Sequence, residues 1–114
     1  MTARIRVDRR HPEPAAIRQA AECLREGLIV AYPTDTLYAL AVDPRNAAAV
    51  QRLYAVKGRP ETSALTLIAA DLPQARRAAH LTAPAEVLAR EWWPGPLTIV
   101  VYADATLTPA ALAG

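Results

Sequence analysis

The chain has 114 residues and is 53% apolar. That suits one small folded domain burying roughly 65% of its unfolded surface, and it excludes a disordered chain. A net charge of +2 allows contact with phosphates without demanding it, and the lone Cys23 excludes an internal disulfide framework and a cysteine-built zinc site.

Taken in chain order, "RIRV" (4–7) alternates and reads as a short edge strand. Around it, Arg4, Arg6, Arg9 and Arg10 form a basic cluster, read here as a solvated edge. "PEPAAIRQAAECLREG" reads as a helix with Pro14 in its first turn and Ile17, Ala20, Ala21 and Leu24 on one face. Cys23 falls on it as a half-buried residue, and Gly27 is its stop. "LIVAY" (28–32) is a short apolar run, expected as a buried strand. "PTDT" follows as a loop and "LYALAV" (37–42) as a further strand. Asn46 caps the helix "AAAVQRLYAVK", whose apolar face carries Val50, Leu53 and Tyr54, and Gly58 and Pro60 end it.

"ALTLIAA" (64–70) is expected as a second buried strand. "DLPQARRAAH" reads as a helix capped by Asp71, with Pro73 in its first turn, and "TAPAEVLAREWW" as another capped near Thr82. Pro94-Gly95-Pro96 breaks the chain, and "LTIVVYA" (97–103) is a third apolar strand. Helices and strands alternate, so the fold class is α/β. No apolar run is long enough to span a bilayer and no leader pattern opens the chain, so a cytoplasmic protein without membrane contact is expected.

Three stretches offer chemistry. In "YPTDT", Thr34, Asp35 and Thr36 place two hydroxyls and a carboxylate after a strand, where α/β folds bind ligands; an ordinary turn would use the same residues for local bonds. In "KGRP", Lys57 is the only lysine among thirteen basic residues. Neutralising a helix C-terminus needs only positive charge, which arginine supplies equally. A retained lysine therefore hints at a compact point charge, with Arg59 as a planar fork for an oxyanion. In "EWWPGPLT", Trp92 or Trp93 reads as core in preference to a base-stacking surface, and Thr98 lies early in the next strand. His11 and His80 have no acidic neighbours at ligand spacing, so no metal site is expected.

Together, "AYPTDTLYAL", "VKGRP", "LTLIAAD" and "WWPGPLTIVV" resemble, over about residues 14–103, the YrdC family of threonylcarbamoyl-AMP synthases. The resemblance implies a YrdC-like α/β fold with a twisted mixed sheet and a positively charged concave face. It implies that L-threonine, bicarbonate and ATP, with Mg2+, give threonylcarbamoyl-adenylate and pyrophosphate, and that a partner complex passes the threonylcarbamoyl group to tRNA. By the same resemblance Lys57 and Arg59 are catalytic and face the ATP phosphates. Ser63 lies near ATP, Thr36 contacts substrate threonine with Thr34 as a further candidate, and Asp35 and Thr98 stand behind these contacts.

The sequence also departs from the family. Ala39 and Ala41 replace two glycines, Ser63-Ala64-Leu65 replaces an Asn/Lys-Pro-Leu segment, and Ile68 stands where a histidine or small residue is usual. "YAL" and "TLIAADL" lean toward YciO-type relatives, so the alternative is a non-catalytic module binding double-stranded RNA or a nucleotide. The family domain continues beyond these motifs with an Arg-x-Pro segment and a Ser/Thr-Ser-Ala-Asn motif. Residues 1–114 are thus expected to be the N-terminal portion of a single YrdC-like domain, with an open strand edge that could form a homodimer.

Overall fold

The computed structural model describes residues 2–58 and 64–104. They fall into two compact units that meet in sequence at Gly58.

The first unit opens on an arm without regular structure (residues 2–12), so the strand expected at 4–7 does not form. Four-residue alternation is a weak signal, and a strand exists only where a neighbour completes its ladder. Helix α1 (Pro14–Arg25) follows, with Pro14 at its start. Its C-terminus is a Schellman motif: the Gly27 N–H donates to the Leu24 carbonyl at 3.0 Å and the Leu28 N–H to the Cys23 carbonyl at 2.9 Å. Cys23 is half-buried, as expected, but Ile17 is 55% exposed.

Strands β1 (Val30–Pro33) and β2 (Tyr38–Ala41) then form an antiparallel hairpin, with Val30 opposite Ala41 and Pro33 opposite Tyr38. One face, carrying Val30, Tyr32, Ala39 and Ala41, is half-buried; the other, carrying Ala31, Pro33, Tyr38 and Leu40, is exposed. The buried strand expected at 28–32 is therefore covered on one side only. A continuous apolar run cannot distinguish one covered face from two.

Helix α2 (Ala47–Lys57) holds this unit's core: Ala49, Val50, Leu53 and Tyr54 are each no more than 4% exposed. Asn46 caps it, its side-chain oxygen accepting the Ala49 N–H at 3.0 Å. The Arg52 guanidinium donates to the Gly27 carbonyl, tying α2 to the end of α1.

The second unit holds α3 (Leu72–Ala78), β3 (Ala79–His80), α4 (Ala83–Trp92) and β4 (Tyr102–Ala103). Asp71 caps α3 by accepting the Gln74 N–H at 2.8 Å, and Gln74 in turn accepts the Ala70 N–H. Thr82 caps α4 through the Ala85 N–H at 3.4 Å. Glu86 joins the two helices: it accepts from Arg76 at 2.6 and 3.0 Å and from Arg90 at 3.2 Å. These guanidiniums hold its carboxyl below the usual glutamate range, with Arg76 the larger cause.

Two expected strands differ here. Residues 64–70 enter no ladder among the described residues and are exposed except for Leu65. Of 97–103, Tyr102 and Ala103 are the residues that pair among the described residues, with His80 and Ala79. The expected helix over 71–80 likewise gives its last two residues to that pair. Apolar content signals a wish for burial, but it does not supply the neighbouring strand. The α/β class holds, with two antiparallel pairs, β1–β2 and β3–β4, as the sheets among the described residues.

Candidate functional site

The "PTDT" loop is the connection of the β1–β2 hairpin, and its hydroxyls are organised by one another. The Thr34 hydroxyl donates to the Leu37 carbonyl. Its oxygen accepts the Thr36 N–H at 3.2 Å and lies 3.4 Å from the Thr36 hydroxyl. A hydroxyl has one proton, and that of Thr34 goes to Leu37. In the contact between the two threonines, Thr36 must therefore be the donor, and at 3.4 Å it is weakly held. The two threonines thus divide the work. Thr34 shapes the turn, as an ordinary turn residue would. The Thr36 hydroxyl oxygen accepts no bond within the loop, and Thr36 is exposed along with Asp35.

Leu37 and Tyr38, each 79% exposed, extend this loop with an apolar edge that sequence periodicity alone assigned only to a strand. Their position beside a hairpin tip was the missing signal. Ala39 and Ala41 stand in regular strand opposite Tyr32 and Val30, where a methyl group is accommodated. The departure from glycine is compatible with the hairpin.

Lys57 is the last residue of α2 and is exposed. Gly58 follows with φ +62°, and its N–H donates to the Ala55 carbonyl at 3.3 Å. A methyl group on Gly58 would meet nothing within 4 Å. Glycine is required there by the left-handed backbone, with no crowding involved. Lys57 therefore ends its helix at a sharp, defined turn.

Thr98 belongs to the second unit and is exposed. Trp93 is half-buried and its indole N–H donates to the Leu97 carbonyl at 2.7 Å, whereas Trp92 is 56% exposed. Trp93 is thus the anchoring tryptophan. Arg59 and Ser63 lie outside the described residues. Of the expected site residues, the structure brings Thr34, Asp35 and Thr36 together on one loop. No group of three His, Cys, Asp or Glu side chains able to hold a metal ion forms among the described residues.

Comparison with known proteins decides the family. The profile of the Sua5/YciO/YrdC family, described as telomere recombination, matches residues 22–114. The chain belongs to the Sua5/YciO/YrdC family. It is 48% identical over 108 residues to the threonylcarbamoyl-AMP synthase of Halorhodospira halophila, covering 89% of this chain and 53% of that protein. Against the same enzyme of Bacillus subtilis it is 39% identical over 103 residues, covering 86% of this chain and 29% of that protein. The chain spans about half the length, or less, of these curated relatives. Among solved structures, Sua5 of Pyrococcus abyssi complexed with L-threonine superposes with a TM-score of 0.86 at 36% identity, over 91% of this chain and 31% of that one. The family expectation read from the four motifs is borne out, and so is its α/β fold.

Proposed function

We propose that this chain carries part of the site of a threonylcarbamoyl-AMP synthase, with Thr36 as its contact to L-threonine. The observation that carries the reading is the division between the two threonines. Thr34 spends its proton within the loop, while Thr36 keeps acceptor capacity, in a family with a member solved in complex with L-threonine.

In the proposed reaction the threonine amine attacks the carbon of bicarbonate, forming an N–C bond and releasing water. A carbamate oxygen then attacks the α-phosphorus of ATP. The bond from that phosphorus to the bridging oxygen breaks, and pyrophosphate leaves. Several negative charges must share one pocket, so the protein's task is to position reactants and neutralise charge. Lys57 supplies a point charge at the C-terminal end of α2. Arg59 and Ser63 are proposed beside it, on the ATP, and Asp35 and Thr98 as supporting groups. Mg2+ enters as MgATP, held by the phosphates and water, which needs no protein cage. Transfer to tRNA by a partner complex, a homodimer and a cytoplasmic location belong to the same proposal; no helix among the described residues is long and apolar enough to cross a membrane.

L-Threonine binding, followed by calorimetry, tests the reading. Thr36→Val should weaken it about tenfold or more, as expected for loss of a hydrogen bond to a charged group. Thr36→Ser should keep it. Equal affinity in Thr36→Val and the unaltered chain would refute the role of Thr36.

A further inference from the structure

An aspartate in a loop or at a helix start ordinarily accepts the N–H two or three residues on. Asp8 accepts those of Arg10 at 2.8 Å and His11 at 2.7 Å, Asp43 that of Arg45 at 2.9 Å, and Asp71 that of Gln74 at 2.8 Å. Asp104 is engaged as well. Asp35 is the exception. Its carboxylate enters no hydrogen bond and no ion pair among the described residues. The cause is its neighbour. Thr34 accepts the Thr36 N–H at 3.2 Å and donates to the Leu37 carbonyl, so the turn is closed without Asp35.

The charge of the hairpin is equally one-sided. Residues 28–44 contain no lysine, arginine or histidine and two acids, Asp35 and Asp43. Asp43 is answered by Arg45, whose guanidinium lies 3.0 Å from its carboxylate. The loop therefore presents two exposed acceptors in consecutive positions, the Asp35 carboxylate and the Thr36 hydroxyl oxygen, with no cation in the hairpin beside them.

We propose that Asp35 binds the α-ammonium group of the amino-acid substrate directly, a role that rests on the threonine site proposed above and moves Asp35 from support to contact. L-Threonine carries its donors, the ammonium and the hydroxyl, on adjacent carbons. The loop carries its acceptors on adjacent residues. The carboxylate of threonine needs a cation, which the loop lacks, so the loop reads the donor end of the substrate and leaves the other end to basic groups elsewhere. An ammonium donating to a carboxylate is charge-assisted and stronger than a neutral bond. Adjacency to Thr36 favours the amino acid over the Mg2+ of MgATP, which also takes carboxylates.

The test follows binding to the whole chain by calorimetry, without ATP. The ligands are L-threonine and its α-hydroxy analogue, in which a hydroxyl replaces the amine. The unaltered chain should prefer threonine by about tenfold or more, the range for a bond to a charged group. Asp35→Asn keeps the size of the side chain and removes its charge. It should weaken threonine by about that factor, leave the analogue within about twofold, and keep the melting temperature. Unchanged threonine affinity in Asp35→Asn overturns the proposal. So does an equal loss of both ligands, which marks a structural role, or weakened MgATP binding with threonine unaffected. Thr36→Val, measured alongside, separates the two residues. A loss there without one in Asp35→Asn keeps the Thr36 contact and removes this one, and the reverse pattern keeps the ammonium contact and removes Thr36. No threonine binding by the unaltered chain overturns both.

Discussion

Gly27 should be the least replaceable glycine of the first unit, for two separable reasons. Its φ is +79°, and a methyl group there would lie 2.6 Å from the Asn46 side-chain nitrogen. The left-handed backbone alone costs an L-residue about 1–2 kcal/mol. The contact adds to this because Asn46 cannot swing aside freely: its oxygen holds the Ala49 N–H at the start of α2. Displacing that cap costs about 1 kcal/mol more. Gly58, also left-handed but with open space around it, supplies the reference. We predict that Gly27→Ala destabilises by about 2–3 kcal/mol and Gly58→Ala by about 1–2, measured by urea unfolding at neutral pH. In an Asn46→Ala background, where the cap is already gone, Gly27→Ala should fall to the Gly58→Ala value. Additivity of Gly27→Ala and Asn46→Ala within about 0.3 kcal/mol would refute the clash as the second cause.

Other outcomes follow from the same contacts. Leu53→Ala, in the core of α2 at 4% exposure, should cost about 2–4 kcal/mol in urea unfolding. The folded-state carboxyl of Glu86 sits below its ordinary value of 4.5. Its ion pairing is therefore fully present above that value and is lost as pH falls through the lower folded one. Glu86→Gln should lower the melting temperature at pH 7, and the difference should shrink as the pH falls below 4.5 and vanish once it is beneath the lowered folded-state value. Thr82→Ala, which removes the acceptor of the Ala85 N–H, should cost about 0.5–2 kcal/mol, and Thr82→Ser should restore most of it.

Local chemistry was legible in the sequence. Asn46, Asp71 and Thr82 each announce a helix start, and each caps one. Gly27 and Gly58 mark the ends where the backbone turns left-handed. These signals act over three or four residues, so their outcome does not depend on the rest of the chain. The strands expected at 4–7, 64–70 and 97–101 do not form among the described residues, because a strand depends on a partner distant in sequence that a local apolar run does not reveal. The hairpin succeeded because its two strands are separated by one short loop. For the site, residue types pointed to the loop, but only the atomic contacts showed that Thr34 donates inward and Thr36 is left available. The bond from Arg52 to Gly27 was also invisible, since nothing in "VQRLY" marks one arginine as structural.

The most direct measurement is pyrophosphate release from MgATP by the 114-residue chain, with threonine and bicarbonate each supplied or omitted. A site for threonylcarbamoyl-AMP formation predicts release only when both are present, and at least about a tenfold loss in Lys57→Ala, as for removal of a group stabilising developing charge. Release indifferent to threonine or to Lys57 would contradict it, whereas no release with both present would contradict a complete site within these 114 residues and leave the family standing.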